Sequence, residues 1–166
     1  MTPKTTEKKR ITLVGMDFFG NPAEKGAGWS AQSVVGQLWQ RFDRFLKRKK
    51  DSIRHLVSEA GYELWVDFEG ETDDKNKYIF VGRAVETIED LPLELVAKPL
   101  PETRYAIFTL KMSDIRSGGI GKLWNTWLPE TGLKTAHDFM IEYYDCGRFK
   151  GVDNPDSEVD FMVPIR

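Results

Sequence analysis

The sequence predicts an α+β fold in which two strand-helix-strand-strand units form one curved antiparallel sheet, with two main helices on it and a central ligand groove. The chain of 166 residues is long enough for one domain with a substantial core. Strand-like and helix-like patterns follow each other in the same order twice, over residues 11–86 and 105–165. Two such units leave a groove where they meet, and we expect a ligand there.

The first half begins after a polar segment that ends in a basic cluster. We therefore predict a flexible N-terminal tail over residues 1–10, followed by a single domain over residues 11–166. A strand over residues 11–19 leads into a turn-rich loop, and Ser30 is the predicted N-cap of the first helix. Apolar residues recur at helical spacing from Val35 to Leu46, which predicts a helix that packs on the sheet. Ile53, Leu56 and Val57 continue this pattern after a break suggested near Asp51, and Gly61 is the predicted helix stop.

Two strand-like runs follow, over residues 62–68 and 77–86, and they are predicted to form a hairpin. Alternation in the first run places Glu63, Trp65 and Asp67 on one face and apolar residues on the other. Because this face is mixed in character, Trp65 is a candidate ligand contact.

The second half repeats the order of the first. We expect a strand over residues 105–112, a helix that contains Trp124, a strand within residues 137–145, and a last strand over residues 158–165.

Glu142 is the unusual residue, since it is a single carboxylate within an apolar and aromatic strand. A buried ionised carboxylate without a partner is costly, so Glu142 must be protonated, hydrogen-bonded, or reserved for a cation that arrives with a ligand. The alternative is that it pairs with a core arginine, a tyrosine hydroxyl or a backbone amide, or that it faces water. Alternation places Met140 and Tyr144 beside Glu142, which makes both of them candidate ligand contacts.

Several segments together resemble the GyrI-like, AraC-type effector-binding domain family. They are YAIF at 105–108, WLPETG at 127–132, FMIEYYD at 139–145, and SEVD at 157–160, which runs into VPI at 163–165. The resemblance implies a fold used by multidrug-responsive transcription activators, in which cationic, aromatic or amphipathic compounds enter an aromatic pocket around a buried glutamate. Glu142 matches that glutamate.

This resemblance favours a small-molecule-binding protein that acts as a drug sink or sensor. Aromatic walls add cation–π attraction and apolar contact area, which tolerate varied ligand shapes. Tyr105, Phe108 and Trp124 are further candidate wall residues, whereas Trp39 and Phe42 fit core packing better.

Two other functions stay open. Some GyrI-like proteins are hydrolases of cyclopropane-containing compounds; here Glu142 would act on water with a second acid, for which Glu63 and Glu130 are nominal candidates. Relatives that inhibit DNA gyrase would instead imply a protein-interaction module. We assign no catalytic residue from the sequence.

Composition restricts the remaining partners. The net charge of −2 argues against direct nucleic-acid binding, and the absence of a long apolar run or secretory signal predicts a cytoplasmic protein without a membrane segment. One cysteine and two histidines are too few for a standard zinc site, so we predict no metal and no cofactor. The family's regulators carry a DNA-binding helix-turn-helix module that the ten residues before Ile11 cannot supply. We therefore expect a stand-alone protein that binds a small molecule, and a separate transcription regulator is the second partner that we consider.

Overall fold

The computed structural model describes residues 1–24, 28–49, 51–67 and 75–166, which form eight strands, one long helix and a series of short helical turns. The first half contains β1 (Lys4–Thr5), β2 (Thr12–Gly20), α1 (Val34–Arg48), β3 (Gly61–Val66), β4 (Lys77–Val85) and β5 (Val96–Pro99). The second half contains β6 (Arg104–Lys111), α2 (Met112–Arg116), α3 (Gly119–Lys122), a π-helical turn (Leu123–Trp127), α4 (Leu128–Glu130), β7 (Phe139–Tyr144) and β8 (Glu158–Ile165).

All eight strands belong to one sheet, in the order β1-β6-β8-β7-β3-β4-β2-β5. Every neighbouring pair is antiparallel. The units β2-α1-β3-β4 and β6-helices-β7-β8 meet at the central pair β3 and β7. The predicted α+β class and the duplicated strand-helix-strand-strand order are confirmed.

Apolar side chains form three clusters around this sheet. On one face, α1 packs on the first unit through residues such as Phe42, and the short helices pack on the second unit through residues such as Leu123. On the other face, a single cluster that includes Leu64 and Ile141 runs across both units. The two helix-bearing clusters are separate, and the strands between them, β3 and β7, carry the site described below.

The first helix differs from its prediction at both ends. Its N-cap is Ser33, whose side-chain oxygen accepts the backbone N–H of Gly36 at 3.1 Å. The prediction of Ser30 as the N-cap is wrong. The carbonyl oxygen of Ser30 instead accepts a hydrogen bond from the Ser33 hydroxyl at 2.8 Å. The helix ends at Arg48, and Asp51 has a φ of 62°, which agrees with the break suggested there, whereas the predicted continuation through Val57 to Gly61 does not form.

The second helical region is present but interrupted. Gly118, with a φ of 87°, separates α2 from α3, because this left-handed conformation cannot continue a helix. The π-helical turn then adds one residue to a turn of the helix and changes which side chains face the sheet. Leu123 and Leu128 are buried, while Trp124 is exposed toward the space between the helices.

The sheet edges hold strands that the sequence patterns did not predict. The tail predicted to be flexible contributes β1, which pairs with β6, and the backbone N–H of Thr6 donates to the carbonyl oxygen of Tyr105 at 3.0 Å. The prediction of a flexible tail is therefore wrong for Lys4 and Thr5, which show no apolar alternation because an edge strand of two residues does not need it. At the other edge, β5 ends in Pro99, a residue that sheets tolerate at an edge. Phe68, the last residue of the strand predicted over residues 62–68, lies outside the described residues.

Candidate functional site

A cavity of about 960 Å³ lies on the helix-bearing face of the sheet, above β3 and β7. Its volume falls at the upper end of the range usual for small-molecule sites, about 300–1,000 Å³. Part of the wall comes from α1 and part from the second helical region, so both units contribute to it. Among the described residues, the aromatic side chains of its lining are Trp29, Trp39, Trp65, Trp124, Phe139, Tyr144 and Phe149.

Two glutamates from the two units lie side by side at the base of this cavity. Glu63 on β3 is the direct cross-strand partner of Glu142 on β7, and each is only 3% exposed. Both strands are interior strands of the sheet, so the alternation that points Leu64 and Ile141 to the opposite face points these two acids into the cavity.

The surrounding hydrogen bonds are divided unequally between the two carboxyl groups. The indole N–H groups of Trp39 and Trp65 donate to Oε2 and Oε1 of Glu63, each at 2.7 Å. The hydroxyl of Tyr144 lies 2.8 Å from Oε2 of Glu142 and 3.1 Å from Oε2 of Glu63. Glu63 therefore has two N–H donors of its own, whereas the described residues offer Glu142 only the tyrosine hydroxyl that it shares with Glu63, besides a hydrogen bond between the two carboxyl groups themselves.

Burial and mutual repulsion raise the pKa values of this group. Burial, and then the neighbouring charge of Glu63, hold the pKa of Glu142 well above its usual range. Burial also raises the pKa of Glu63, but hydrogen bonds from Trp39, Trp65 and Tyr144 oppose that shift. The pKa of Tyr144 is raised well above its usual range by burial and by both glutamates, so it stays a neutral phenol. Glu63 is thus the better-stabilised anion, and Glu142 is the carboxyl group that holds a proton more readily.

The outer wall of the cavity is also acidic. Apart from Glu63 and Glu142, the described residues contribute four carboxyl groups and two basic side chains to it. The basic groups are Lys77, which forms an ion pair with Asp67 at 2.8 Å, and Arg83, which forms an ion pair with Glu59. The excess of carboxyl groups gives the cavity a negative potential that favours a positively charged occupant.

Tyr144 is at the centre of a cluster of aromatic rings. The ring of Trp39 contacts it edge-on with centroids 5.6 Å apart, and the ring of Phe149 does so at 4.8 Å. Trp29 lies at 6.2 Å on a further side. These contacts hold the tyrosine hydroxyl between the two glutamates.

The segment that carries Trp29 depends on a glycine in α1. A Cβ atom at Gly36 would lie 2.1 Å from the carbonyl oxygen of Ser30, closer than any side chain permits. Only glycine allows residues 28–33 to lie against the helix in this way. The loop before α1 can therefore place Trp29 over the cavity.

Most of the candidate site residues from the sequence do line the cavity. Glu142, Met140 and Tyr144 project from β7 and Trp65 from β3, as alternation predicts. Trp124 joins them from the π-helical turn. Glu142 also has a tyrosine hydroxyl as a hydrogen-bond partner, which the sequence left open as an alternative to a ligand cation.

Two candidates do not line the cavity. Tyr105 lies on the opposite face of the sheet, in the cluster with Leu64, so its placement in the site is wrong. Phe108 is on the helix-bearing face, but it is fully buried in the core with Leu123, so it too is absent from the wall. Both belong to β6, which is separated from β7 by β8, and the sequence contains no direct sign of that strand order.

Three residues contribute more to the site than the sequence patterns indicate. Glu63, a nominal second acid from the sequence, lies on the same face of β3 as Trp65, as alternation predicts. Trp39, for which the pattern favours core packing, donates its indole N–H to Glu63. Phe149 was missed because it follows β7 in an irregular loop. Glu130, the other nominal acid, is exposed at the end of α4 and does not line the cavity.

Within the described parts of the chain, no cluster of three or more histidine, cysteine, aspartate or glutamate side chains is suited to hold a metal ion. No helix found there has the length and apolar character needed to cross a membrane.

Comparison with known proteins identifies relatives along the whole chain. The family model Cass2, described as integron-associated effector binding protein, matches residues 4–165. The transcriptional regulator BrlR of Pseudomonas aeruginosa is 26% identical over 166 residues, a match that covers 99% of this chain and 56% of BrlR. The chain thus spans little more than half the length of that curated relative.

Solved structures with a similar fold have low sequence identity. SAV2435 bound to tetraphenylphosphonium has a TM-score of 0.67 at 13% identity, over 100% of this chain and 94% of that one. An integron cassette protein from Vibrio cholerae has a TM-score of 0.59 at 18% identity, over 99% and 96%. A hydrolase from Listeria innocua has a TM-score of 0.52 at 13% identity, over 99% and 92%. At these identities the similarity shows a common fold.

Proposed function

Because the chain belongs to the family of integron-associated effector-binding proteins, we propose that it binds cationic aromatic and cationic amphipathic compounds in the cavity above β3 and β7. The family match confirms the GyrI-like effector-binding domain expected from the sequence. The observation that carries the proposal is the buried pair Glu63 and Glu142, for which the described residues provide hydrogen-bond donors but no lysine or arginine. A cation from a ligand would supply the missing positive charge.

The walls suit an aromatic or amphipathic cation better than a small hydrated ion. Trp39, Trp65 and Tyr144 surround the carboxyl groups, and aromatic faces attract a desolvated cation by about 0.5–2 kcal/mol each. Met140 adds a wall that adapts to different shapes. Neither contribution requires a fixed hydrogen-bond pattern, which supports binding of several related compounds.

The relatives support the same class of ligand and a regulatory role. SAV2435 has a similar fold and was solved with tetraphenylphosphonium, an aromatic cation. BrlR is a transcriptional regulator, and this chain matches 56% of its length. We therefore extend the proposal to a drug sink or sensor whose ligand-bound state is detected by a transcription regulator.

A fluorescence titration tests the binding function. Rhodamine 6G is titrated into the wild type, Glu142→Gln and Glu130→Gln, the last being a matched control because Glu130 is exposed and outside the cavity. We expect saturable binding by the wild type and the control, and a Kd at least about tenfold weaker for Glu142→Gln, which corresponds to about 1.4 kcal/mol. Equal affinity in all three proteins would move the cation away from Glu142, and no binding below about millimolar would reject the function.

The glutamate pair also favours a second candidate function, hydrolysis of cyclopropane-containing compounds. One neutral and one ionised carboxyl group in contact can serve as general acid and general base, which Glu142 without a second acid could not do. The experiment is incubation with such a compound and detection of the ring-opened product by mass spectrometry. Product formation that stops in Glu142→Gln while the compound still binds would support hydrolysis; intact compound with the wild type would exclude it for that substrate.

A further inference from the structure

We propose that the Glu63–Glu142 pair holds one proton when the cavity is empty, and that an entering monocation displaces this proton into solvent. The inference deepens the proposed function and rests on it, because it requires a cationic ligand. It adds a charge balance: the O–H bond of the protonated carboxyl group breaks, water or buffer takes the proton, and the cation replaces it. The buried charge stays constant, so the cavity favours ligands with one positive charge.

The contacts of Tyr144 support the presence of this proton. Its hydroxyl has a single hydrogen atom but lies within hydrogen-bond distance of oxygens from both Glu142 and Glu63, at 2.8 and 3.1 Å. If both carboxyl groups were ionised, one of these contacts would be between two oxygens with no hydrogen atom between them. If Glu142 carries a proton, its O–H donates to the Tyr144 oxygen, and the Tyr144 O–H donates to Glu63. Both contacts are then satisfied.

The indole groups decide which acid stays ionised. Trp39 and Trp65 donate to both oxygens of Glu63, and these N–H groups can only donate. Hydrogen bonds to both oxygens stabilise a carboxylate and oppose protonation of Glu63. Trp39 and Trp65 are therefore positioning residues that leave the exchangeable proton with Glu142.

The other ionisable groups that line the cavity are less buried than Glu63 and Glu142, and the bases among them form ion pairs. The acids are Asp43 on α1, Asp67 after β3, and Asp138 and Asp145 at the ends of β7. The bases are Lys77 and Arg83 on β4, both in ion pairs with carboxylates. Among the described residues, the lining also contains the ionisable side chains of His137, Cys146 and Tyr144. None of these residues is buried to the extent of Glu63 and Glu142, so a protonation change tied to the pair can be identified with Glu142→Gln.

Isothermal titration calorimetry with tetraphenylphosphonium measures the exchange directly. This probe has a permanent charge and no ionisable hydrogen, so any proton released comes from the protein. The titration is run at one pH in phosphate and in Tris, whose ionisation enthalpies differ, and is repeated between pH 5.5 and 8. For the wild type we expect release of about one proton per ligand and a Kd that falls by up to about tenfold per pH unit until Glu142 is already ionised.

The variants assign the proton. Glu142→Gln is expected to bind more weakly, with equal enthalpies in both buffers and a Kd independent of pH, while Glu130→Gln should behave like the wild type. Trp39→Phe should shift the pH profile of Kd, because it removes a donor that keeps Glu63 ionised; a purely structural role would weaken binding without that shift.

Each outcome decides a separate question. Wild-type binding with equal enthalpies in both buffers and constant Kd would overturn the proton exchange but leave the proposed cation-binding function intact. Proton release that persists in Glu142→Gln would assign the proton to another group and also overturn it. Failure of the wild type to bind the probe, or rhodamine 6G, would reject the proposed function itself. The wild-type measurement decides the matter even if a variant does not fold.

Discussion

Arg148 meets Asp160 through two parallel contacts, Nη1 to Oδ1 at 3.0 Å and Nη2 to Oδ2 at 2.5 Å. The hydroxyl of Thr109 also donates to Asp160, at 2.6 Å. Asp160 is in β8 and Arg148 is in the loop between β7 and β8, so the pair fixes this loop to the sheet. The next residue, Phe149, packs edge-on against Tyr144. An ion pair outside the cavity thus positions part of its wall.

Replacing Arg148 with alanine is expected to lower both stability and affinity. The mostly buried Asp160 loses its bidentate partner, and we expect the free energy of unfolding to fall by about 2 kcal/mol. Rhodamine 6G binding should weaken because Phe149 is less well fixed. The control is Lys111→Ala, which removes an exposed ion pair with Asp156 and should lower the stability much less. Urea denaturation of the two variants gives the comparison, and equal losses would show that the Arg148 pair has no special structural role.

The glutamate pair should make stability depend on pH. A carboxyl group whose pKa is higher in the folded than in the unfolded protein favours folding when it is protonated, and this contribution is lost as pH rises toward its folded pKa. Glu142 has such a raised pKa, because of burial and the charge of Glu63. We therefore expect Glu142→Gln to become progressively more stable than the wild type as pH increases from about 5 to about 9.

Urea midpoints of the two proteins at several pH values in this range provide the measurement. Glu130→Gln is the control, because Glu130 is exposed and its substitution should shift all midpoints little. A constant difference between Glu142→Gln and the wild type across the range would contradict the raised pKa.

Substitution of Trp39 by phenylalanine should impair the site through one lost hydrogen bond. The indole N–H donates to Glu63 at 2.7 Å, and a buried carboxylate that loses a donor costs about 1–3 kcal/mol. We expect a loss of stability of that size and a cation affinity lower by about fivefold, roughly 1 kcal/mol.

Trp127→Phe is the matched tryptophan control, because Trp127 packs against the core of the second unit and does not line the cavity. The Trp127→Phe variant should be less stable because it loses packing contacts, but its affinity for rhodamine 6G should not change. Denaturation and dye titration of both variants separate the two effects, and an equal loss of affinity would argue against a particular role for the Trp39 N–H.

Replacing each of two glycines with alanine should change the stability of the protein in opposite directions. Gly36→Ala places a Cβ atom against the backbone of Ser30 and should displace the segment that carries Trp29, with a cost of about 1–3 kcal/mol and weaker dye binding. Gly121 lies in α3, and a Cβ atom added there would have no neighbour within 4 Å, so Gly121→Ala should stabilise the protein by about 0.5–1 kcal/mol. Thermal unfolding measures both changes. A stabilised Gly36→Ala protein would show that the loop before α1 adapts without cost.

Alternation along each strand explains why much of the site could be predicted. It placed Met140, Glu142 and Tyr144 on one face, and it placed Trp65 on the same face as Glu63. It could not show that β3 and β7 are neighbours in a register that sets Glu63 opposite Glu142, because strand order is decided by contacts between distant segments. The two errors in the site, Tyr105 and Phe108, come from the same missing information about β6.

Helix boundaries were harder to predict than helix faces. The apolar spacing of α1 correctly indicated the buried side that contains Leu38 and Phe42. Ser30 and Ser33 are both acceptable caps in sequence, and only the position of Gly36 against the Ser30 backbone distinguishes them. The pairing of Lys4 and Thr5 with β6 likewise depends on an available sheet edge, which local patterns do not reveal.

The pairing of β3 with β7 also affects how the chain is assembled. In the unfolded chain Glu63 and Glu142 are not paired, and water can surround both carboxylates. Folding brings two like charges together and removes that water, so it is opposed unless a proton or a cation is taken up. A compound that fits the cavity would then act as a folding aid as well as a ligand, and the amount of native protein in a cell would rise with the supply of that compound.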